Sequence, residues 1–229
     1  PNVKDTVNTK TILRGGYLFF YAALFSYAYI ILDTASGALL LFASVQFTMI
    51  CVQFIQGNKP SNQELIGLLL ALIGFVYWML PSSQSPSLLG AGLMILSGIA
   101  WAGYTLAGKH SKNAKLDTTK NFIISVLFII FLLPAYAIFI EFSMTPAGLI
   151  YAVTSGSLAS GIGYWIWYSV LPQLSISSAA VLQLLVPILA AIGGFIWTSE
   201  TITGSFVLAC MLILTGILLV VKKQTNTAS

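Results

Sequence analysis

The chain has 229 residues, 58% of them hydrophobic and 7% charged, with a formal net charge of +4. A water-exposed globule carries about 25% charged residues, so composition excludes a soluble domain and points to a protein whose solvent is lipid. Cys51 and Cys210 sit inside apolar runs, there is one histidine, and neither CxxC nor HExxH spacing occurs, so no disulfide framework, metal site or other cofactor is expected.

A helix crosses the hydrocarbon with about 20 apolar residues, within a range of roughly 17 to 25. Eight runs qualify. Gly15–Leu32 comes first; Lys10 and Arg14 precede it, and its length is that of a span rather than a cleaved leader. Ser36–Gln56 follows the tight turn at Asp33-Thr34, and Leu65–Leu80 follows Gly57-Asn58-Lys59-Pro60. Leu88–Gly108 comes after a Ser/Pro-rich turn at 81–86, and Phe122–Ile140 after the lysine-bearing stretch 109–121. Ala147–Leu171, Ile176–Trp197 (beyond Pro172) and Gly204–Val221 complete the set. The runs are continuous rather than alternating, which excludes a β-barrel. The predicted fold is an all-α integral membrane protein with eight visible transmembrane helices, each antiparallel to the next.

The basic residues are segregated. Lys4, Lys10, Arg14, Lys59, Lys109, Lys112, Lys115, Lys120, Lys222 and Lys223 all fall at the N-terminus, in the loops 57–64 and 109–121, or at the C-terminus. These stretches share one side with the loop 172–175. The opposite loops, near 33–35, 81–87, 141–146 and 198–203, hold only Asp33, Glu141 and Glu200 as charged residues. The positive-inside rule then places both termini in the cytoplasm. The net charge reads as orientation beside anionic lipid, and no nucleic-acid partner is expected.

A shift of 142 residues lays Leu13–Pro81 on the chain from Ser155 onward. Leu32 then meets Leu174, Ser36 meets Ser178, Ala38 meets Ala180, Leu40 meets Leu182 and Gly74 meets Gly216. Hydropathy and turn positions agree better than identities do. The first copy starts inside and the second outside, the inverted-topology pattern of alternating-access carriers.

Polar chemistry within the spans is neutral. Arg14, Asp33, Glu64, Lys109, His110, Glu141 and Glu200 are terminal or in loops, so no proton relay is visible. Gln183 is deep in its span, and Pro187 four residues on displaces the hydrogen bond to the Gln183 carbonyl. One turn therefore offers an amide side chain and a freed acceptor. Two readings stand side by side: a broken turn lining a cavity, and a packed kink with Gln183 bonded to a neighbouring helix. Gln183→Ala is predicted to cut transport while leaving expression intact. Pro134 is read as a structural kink, because no side-chain donor accompanies it. Trp101, Tyr104 and Thr105 share a face with Ser97, and Tyr164 shares one with Tyr168. Trp101, Tyr104, Thr105 and Tyr164 are candidate cavity residues, and Tyr168 a candidate membrane-interface anchor. Gly161 and Gly163 are expected to permit close helix approach. Gln46 and Gln53 are seven apart on one face; Gln46 is a further cavity candidate and Gln53 an interhelical hydrogen-bonding residue. Glu200 and the Lys109–Lys120 cluster are assigned to topology.

The segment Gly90–Lys109, with Ser97-Gly98-Ile99-Ala100-Trp101-Ala102-Gly103-Tyr104-Thr105, resembles the first helix of a repeat in the EamA family of the drug/metabolite transporter superfamily. Ser175–Gly216, with Ser177-Ser178-Ala179-Ala180, Pro187, Glu200 and Gly216, resembles that family's closing helix pair. The family plan is ten helices in two five-helix repeats. The resemblance therefore implies that the chain, which begins at Pro1 without an initiator methionine, lacks the first two. It implies the remainder of a first repeat over 1–86 and a second over 87–229. Val45 and Asn58 stand where the second repeat has Pro187 and Glu200, so the first copy is diverged. The implied activity is secondary transport of small organic metabolites (amino acids, their derivatives or other amphipathic compounds), often in the export direction, in a bacterial cytoplasmic (inner) membrane. The expected partners are a small-molecule solute and the bilayer, with a homodimer as one admissible assembly. A membrane-embedded enzyme would need a nucleophile–base pair or a His/carboxylate cluster within the spans, and a channel is the other alternative.

Overall fold

The computed structural model describes residues 8–83, 85–137, 145–198 and 203–228; Lys4, Glu141 and Glu200, assigned to opposite membrane faces above, lie outside them. Among the described residues there is no strand. Ten α-helices follow in chain order: α1 Thr9–Ile31, α2 Thr34–Ile55, α3 Asn62–Met79, α4 Leu88–Gly108, α5 Ala114–Ala137, α6 Pro146–Thr154, α7 Gly163–Val170, α8 Ile176–Leu182, α9 Leu185–Thr198 and α10 Gly204–Ala228. Over the described residues each of the eight expected runs falls mainly on helix; residues 138–140 of the fifth run lie outside them. The ends carry capping chemistry. The Asp33 carboxylate accepts the Ser36 N–H at 2.9 Å and starts α2. Gly57, at φ 77°, turns the chain beyond it. Ser61 and Glu64 form a reciprocal capping box on α3: the Ser61 N–H donates to Glu64 Oε2 at 2.8 Å and the Glu64 N–H to Ser61 Oγ at 3.3 Å. Thr145 caps α6 ahead of Pro146, and Ser175 Oγ accepts the Ser178 N–H at 3.0 Å at the start of α8.

Two expected spans are interrupted. Between α6 and α7, Ser155–Ile162 winds as wider π turns. There Thr154 and Ser157 return their hydroxyls to the Ile150 and Val153 carbonyls at 2.8 and 2.6 Å, competing for backbone acceptors within the helix. The second break, at Gln183 and Leu184, separates α8 from α9. By contrast α5 runs on past Pro134 to Ala137.

Five segments are long and apolar enough to cross a bilayer: Thr34–Ile55, Asn62–Ser82, Leu88–Gly108, Ile176–Gly193 and Gly204–Lys222. Burial is inverted relative to a soluble protein. Leu88 is 93% exposed, Ile55 84% and Phe131 83%, while Gln46, Asn121 and Gln183 are buried. In water each such apolar side chain left outside forfeits about 1.5–3 kcal/mol; in hydrocarbon it forfeits nothing, and it is the buried polar groups that require partners. The chain is an integral, multi-pass membrane protein.

The helices group into two compact units, one of residues 1–22 and 103–173, the other of 23–102 and 174–229; α1 and α4 contribute residues to both. In the first unit, Gly15 on α1 is backed directly by Ile124 on α5, the Ser125 hydroxyl donates to the Gly15 carbonyl at 2.9 Å, and Phe19 stacks on Phe128 at 5.5 Å. In the second unit, α3 lies against α10, and α2 against α8. A Cβ on Gly67 would stand 2.7 Å from the Gly216 carbonyl oxygen, and one on Gly74 3.3 Å from that of Ala209. The contacts advance along one helix as they retreat along the other, so the pair is antiparallel. The 142-residue shift maps Gly67 onto Ala209 and Gly74 onto Gly216, exchanging these two contacts.

Candidate functional site

In the second unit the neutral polar residues converge on the break between α8 and α9. Gln46, Met49 and Gln53, spaced three, four and seven apart on α2, face α8. Gly98 lets α4 reach α2: a Cβ there would stand 2.8 Å from the Leu41 carbonyl and 2.7 Å from the Ser44 Cβ. Trp101 follows one turn later, and its indole N–H donates to Gln183 Oε1.

At the break the backbone tightens to three-residue turns. The Gln183 N–H reaches the Ala180 carbonyl at 3.3 Å, the Leu184 N–H that of Val181 at 3.1 Å, and the Val186 N–H that of Gln183 at 3.1 Å. The Gln183 carbonyl, which the Pro187 argument left free, is therefore occupied. The proline removes the four-residue donor, and the tighter turn supplies Val186 in its place. The carbonyls needing help lie one turn earlier. Gln183 Nε2 donates to Ala179 O at 3.0 Å and to Met49 Sδ at 3.4 Å, and Gln46 Nε2 donates to Ala180 O at 2.8 Å. Below them the Ser177 hydroxyl donates to Gln53 Oε1 at 2.9 Å, the interhelical role expected of Gln53.

Gln183 is thus engaged through both amide atoms. Gln46 is different: it is 3% exposed, and its Oε1 has no hydrogen-bond partner among the described residues. The structure brings Gln46, Trp101 and Gln183 together, and Met49 joins them without any polar signal in the sequence.

The other candidates, Tyr104, Thr105 and Tyr164, belong to the first unit. The Tyr104 ring lies 4.7 Å from Tyr168 and 6.0 Å from Tyr164, and Phe122 lies 5.9 Å from Tyr164. The Tyr168 hydroxyl donates to the Tyr104 carbonyl at 3.0 Å, and the Trp167 indole to Thr105 Oγ1 at 3.4 Å. Tyr168 is fully buried, so it is no interface anchor; it stitches α7 to α4. Among the described residues, a Cβ on Gly163 would meet nothing within 4 Å and one on Gly161 only the Gly156 carbonyl, so the close helix approach expected there is not found. Beyond α4, burial lowers the Lys109 ammonium pKa from its ordinary value. Arg14 and Asp117 pair at 3.2 Å, and the Ser111 hydroxyl donates to Asp117 at 2.7 Å. Among the described residues no cluster of His, Cys, Asp and Glu is placed to hold a metal.

The EamA-like transporter family matches residues 88–222. The chain belongs to that family. An uncharacterized protein of Pseudomonas aeruginosa is 41% identical over 224 residues, covering 96% of this chain and 77% of its own length. A threonine/homoserine exporter of Salmonella typhimurium is 29% identical over 175 residues, 72% of this chain and 57% of that one. A probable amino-acid metabolite efflux pump of Escherichia coli is 24% identical over 197 residues, 79% of this chain and 65% of that one. The chain thus spans less than two thirds of either of these two named transporters. A solved crystal structure at 18% identity shares the fold of this EamA-family chain, with a TM-score of 0.76 over 96% of it and 78% of the other chain.

Proposed function

We propose that this EamA-family chain belongs to a secondary carrier that exports small organic metabolites by alternating access between inverted repeats. Residues 1–86 are the remainder of the first repeat and 87–229 the second, and both termini lie in the cytoplasm of a bacterial cell. The observation that carries the proposal is the α8–α9 break: a discontinuous helix whose carbonyls are capped by neutral amides, with the buried Gln46 Oε1 left to accept from a solute. Broken helices are how carriers present polar groups at mid-membrane depth. An indole and a thioether beside two amides suit an amphipathic amino acid or derivative, the class that two relatives are named for exporting. An inorganic ion would need rings of carbonyls or carboxylates instead.

The test is counterflow of labelled L-threonine and of aromatic amino acids in vesicles reconstituted with the full-length protein. A carrier shows saturable uptake accelerated by unlabelled solute on the far side. Voltage-driven, non-saturating currents would replace this reading with a channel.

A further inference from the structure

Among the described residues of the first unit, Asp117 is the sole acidic side chain, against Lys10, Arg14, Lys109, Lys112, Lys115 and Lys120. The basic residues gather at one end of it. α1 and α5 run parallel, since Gly15 is backed by Ile124 and, further along both helices, Phe19 stacks on Phe128. At their starts Arg14 and the Ser111 hydroxyl both engage Asp117, at 3.2 and 2.7 Å. Around this node lie three more lysines: Lys10 is one turn before Arg14, Lys112 adjoins Ser111, and Lys115 is two residues before Asp117. All three are exposed, and none has an ion-pair partner among the described residues. The carboxylate that could balance them is already held by Arg14.

We propose that Lys10, Lys112 and Lys115 form a docking surface for the headgroups of anionic phospholipids, which the protein retains in preference to zwitterionic ones. Charge complementarity carries the choice of occupant. An uncompensated cluster of ammonium groups attracts phosphate, and each lysine beside an anionic lipid surface strengthens the attraction about fivefold. Beyond the lysines the same two helices turn apolar side chains outward: Ile12 is 47% exposed, Leu13 53% and Ile123 55%. A phospholipid meets both parts, its phosphate on the lysines and its acyl chains on the apolar surface. A soluble anion or an acidic protein segment meets only the first. Topology alone would be served by lysines spread over every loop of that side, with no need of a cluster whose counter-charge is withdrawn.

The experiment equilibrates the full-length protein, in a neutral detergent, with equal amounts of dioleoyl phosphatidylglycerol and dioleoyl phosphatidylcholine. The lipid retained after gel filtration is read, with the unfolding midpoint of each variant in lipid-free detergent alongside. Wild type retains phosphatidylglycerol over phosphatidylcholine by at least about tenfold, and salt at about 0.5 M lowers the preference. Combining Lys10→Gln, Lys112→Gln and Lys115→Gln brings it to within about threefold at an unchanged midpoint, whereas the three Lys→Arg changes keep it. Each single Gln variant lowers it about three- to fivefold, a readout that stands even where the triple variant misfolds. Equal retention of the two lipids by wild type overturns the proposal, as does an undiminished preference in the Gln variants. Full displacement of phosphatidylglycerol by an equal concentration of glycerol phosphate also overturns it, because the surface would then take a free phosphate rather than a lipid. Lipid retention and not transport is measured, so the outcome is separate from that of the carrier reading.

Discussion

Gln46→Leu separates a solute-binding role from a structural one, because the stability terms oppose each other. The substitution removes the hydrogen bond to Ala180 O at 2.8 Å, a net loss of about 0.5–1.5 kcal/mol. That carbonyl keeps the Gln183 N–H at 3.3 Å, so it is not stranded. The substitution also removes the unpartnered Oε1, whose burial costs about 1–3 kcal/mol. The two largely cancel, leaving the variant within about 1–2 kcal/mol of wild type and the unfolding midpoint within about 8 °C. A solute that donates to Oε1 loses about 0.5–1.5 kcal/mol if neutral and up to about 3 kcal/mol if charged. That is a rise in KM of about 2- to 100-fold. Counterflow kinetics in vesicles, with unfolding followed by size-exclusion chromatography after heating, read both quantities. A KM equal to wild type in a variant of equal stability would refute Gln46 as a solute acceptor. A midpoint depressed by far more than the cancellation allows would show that the Ala180 bond is indispensable to the break.

Gln183→Ala behaves differently, because Gln183 bonds Trp101, Met49 and Ala179 at once. Leaving the indole and the carbonyl unpaired beside a new cavity costs about 3–5 kcal/mol. The protein should then unfold about 6–20 °C earlier in detergent, and yield should fall with it; a fully stable, transport-dead variant would show instead that the residue acts on solute alone. Gly216→Ala drives a methyl to 2.8 Å from the Ala71 nitrogen and Cβ, an overpacking cost of about 1–3 kcal/mol against a helix-propensity gain near 1 kcal/mol. Its midpoint should fall, whereas Gly92→Ala, with nothing within 4 Å, should hold or gain; equal behaviour of the two would contradict the α3–α10 contact. For orientation, a background with Cys51→Ser and Cys210→Ala should give labelling of Ser82→Cys but not Asn58→Cys by an impermeant maleimide in intact cells. Labelling only of Asn58→Cys would invert the topology.

Much of the fold is legible because the membrane imposes a one-dimensional rule: apolar runs of spanning length must be helices, and lysines mark which turns stay inside. The capping chemistry at Asp33, Ser61 and Ser175 is equally local, with donor and acceptor within three residues. The Pro187 argument located the broken turn but not the consequence. A proline denies a backbone donor to the residue four before it, and whether that acceptor stays free depends on how the next turn closes. Gly161 and Gly163 carried the small-residue signal without the contact, whereas Gly67, Gly98 and Gly216 make the close approaches.

The site divides in the same way. Gln46, Trp101 and Gln183 are conspicuous as polar or amphipathic residues in apolar runs, so composition alone singled them out. Met49 offered no such contrast. The sequence by itself determined the helical runs, the charge asymmetry and the family, since each depends on residue type along the chain. Only the tertiary structure decided that Gln183 is engaged through both amide atoms while Gln46 Oε1 has no hydrogen-bond partner among the described residues. Hydrogen-bond satisfaction is a property of distances between helices far apart in sequence, such as the 2.8 Å that joins Gln46 to Ala180.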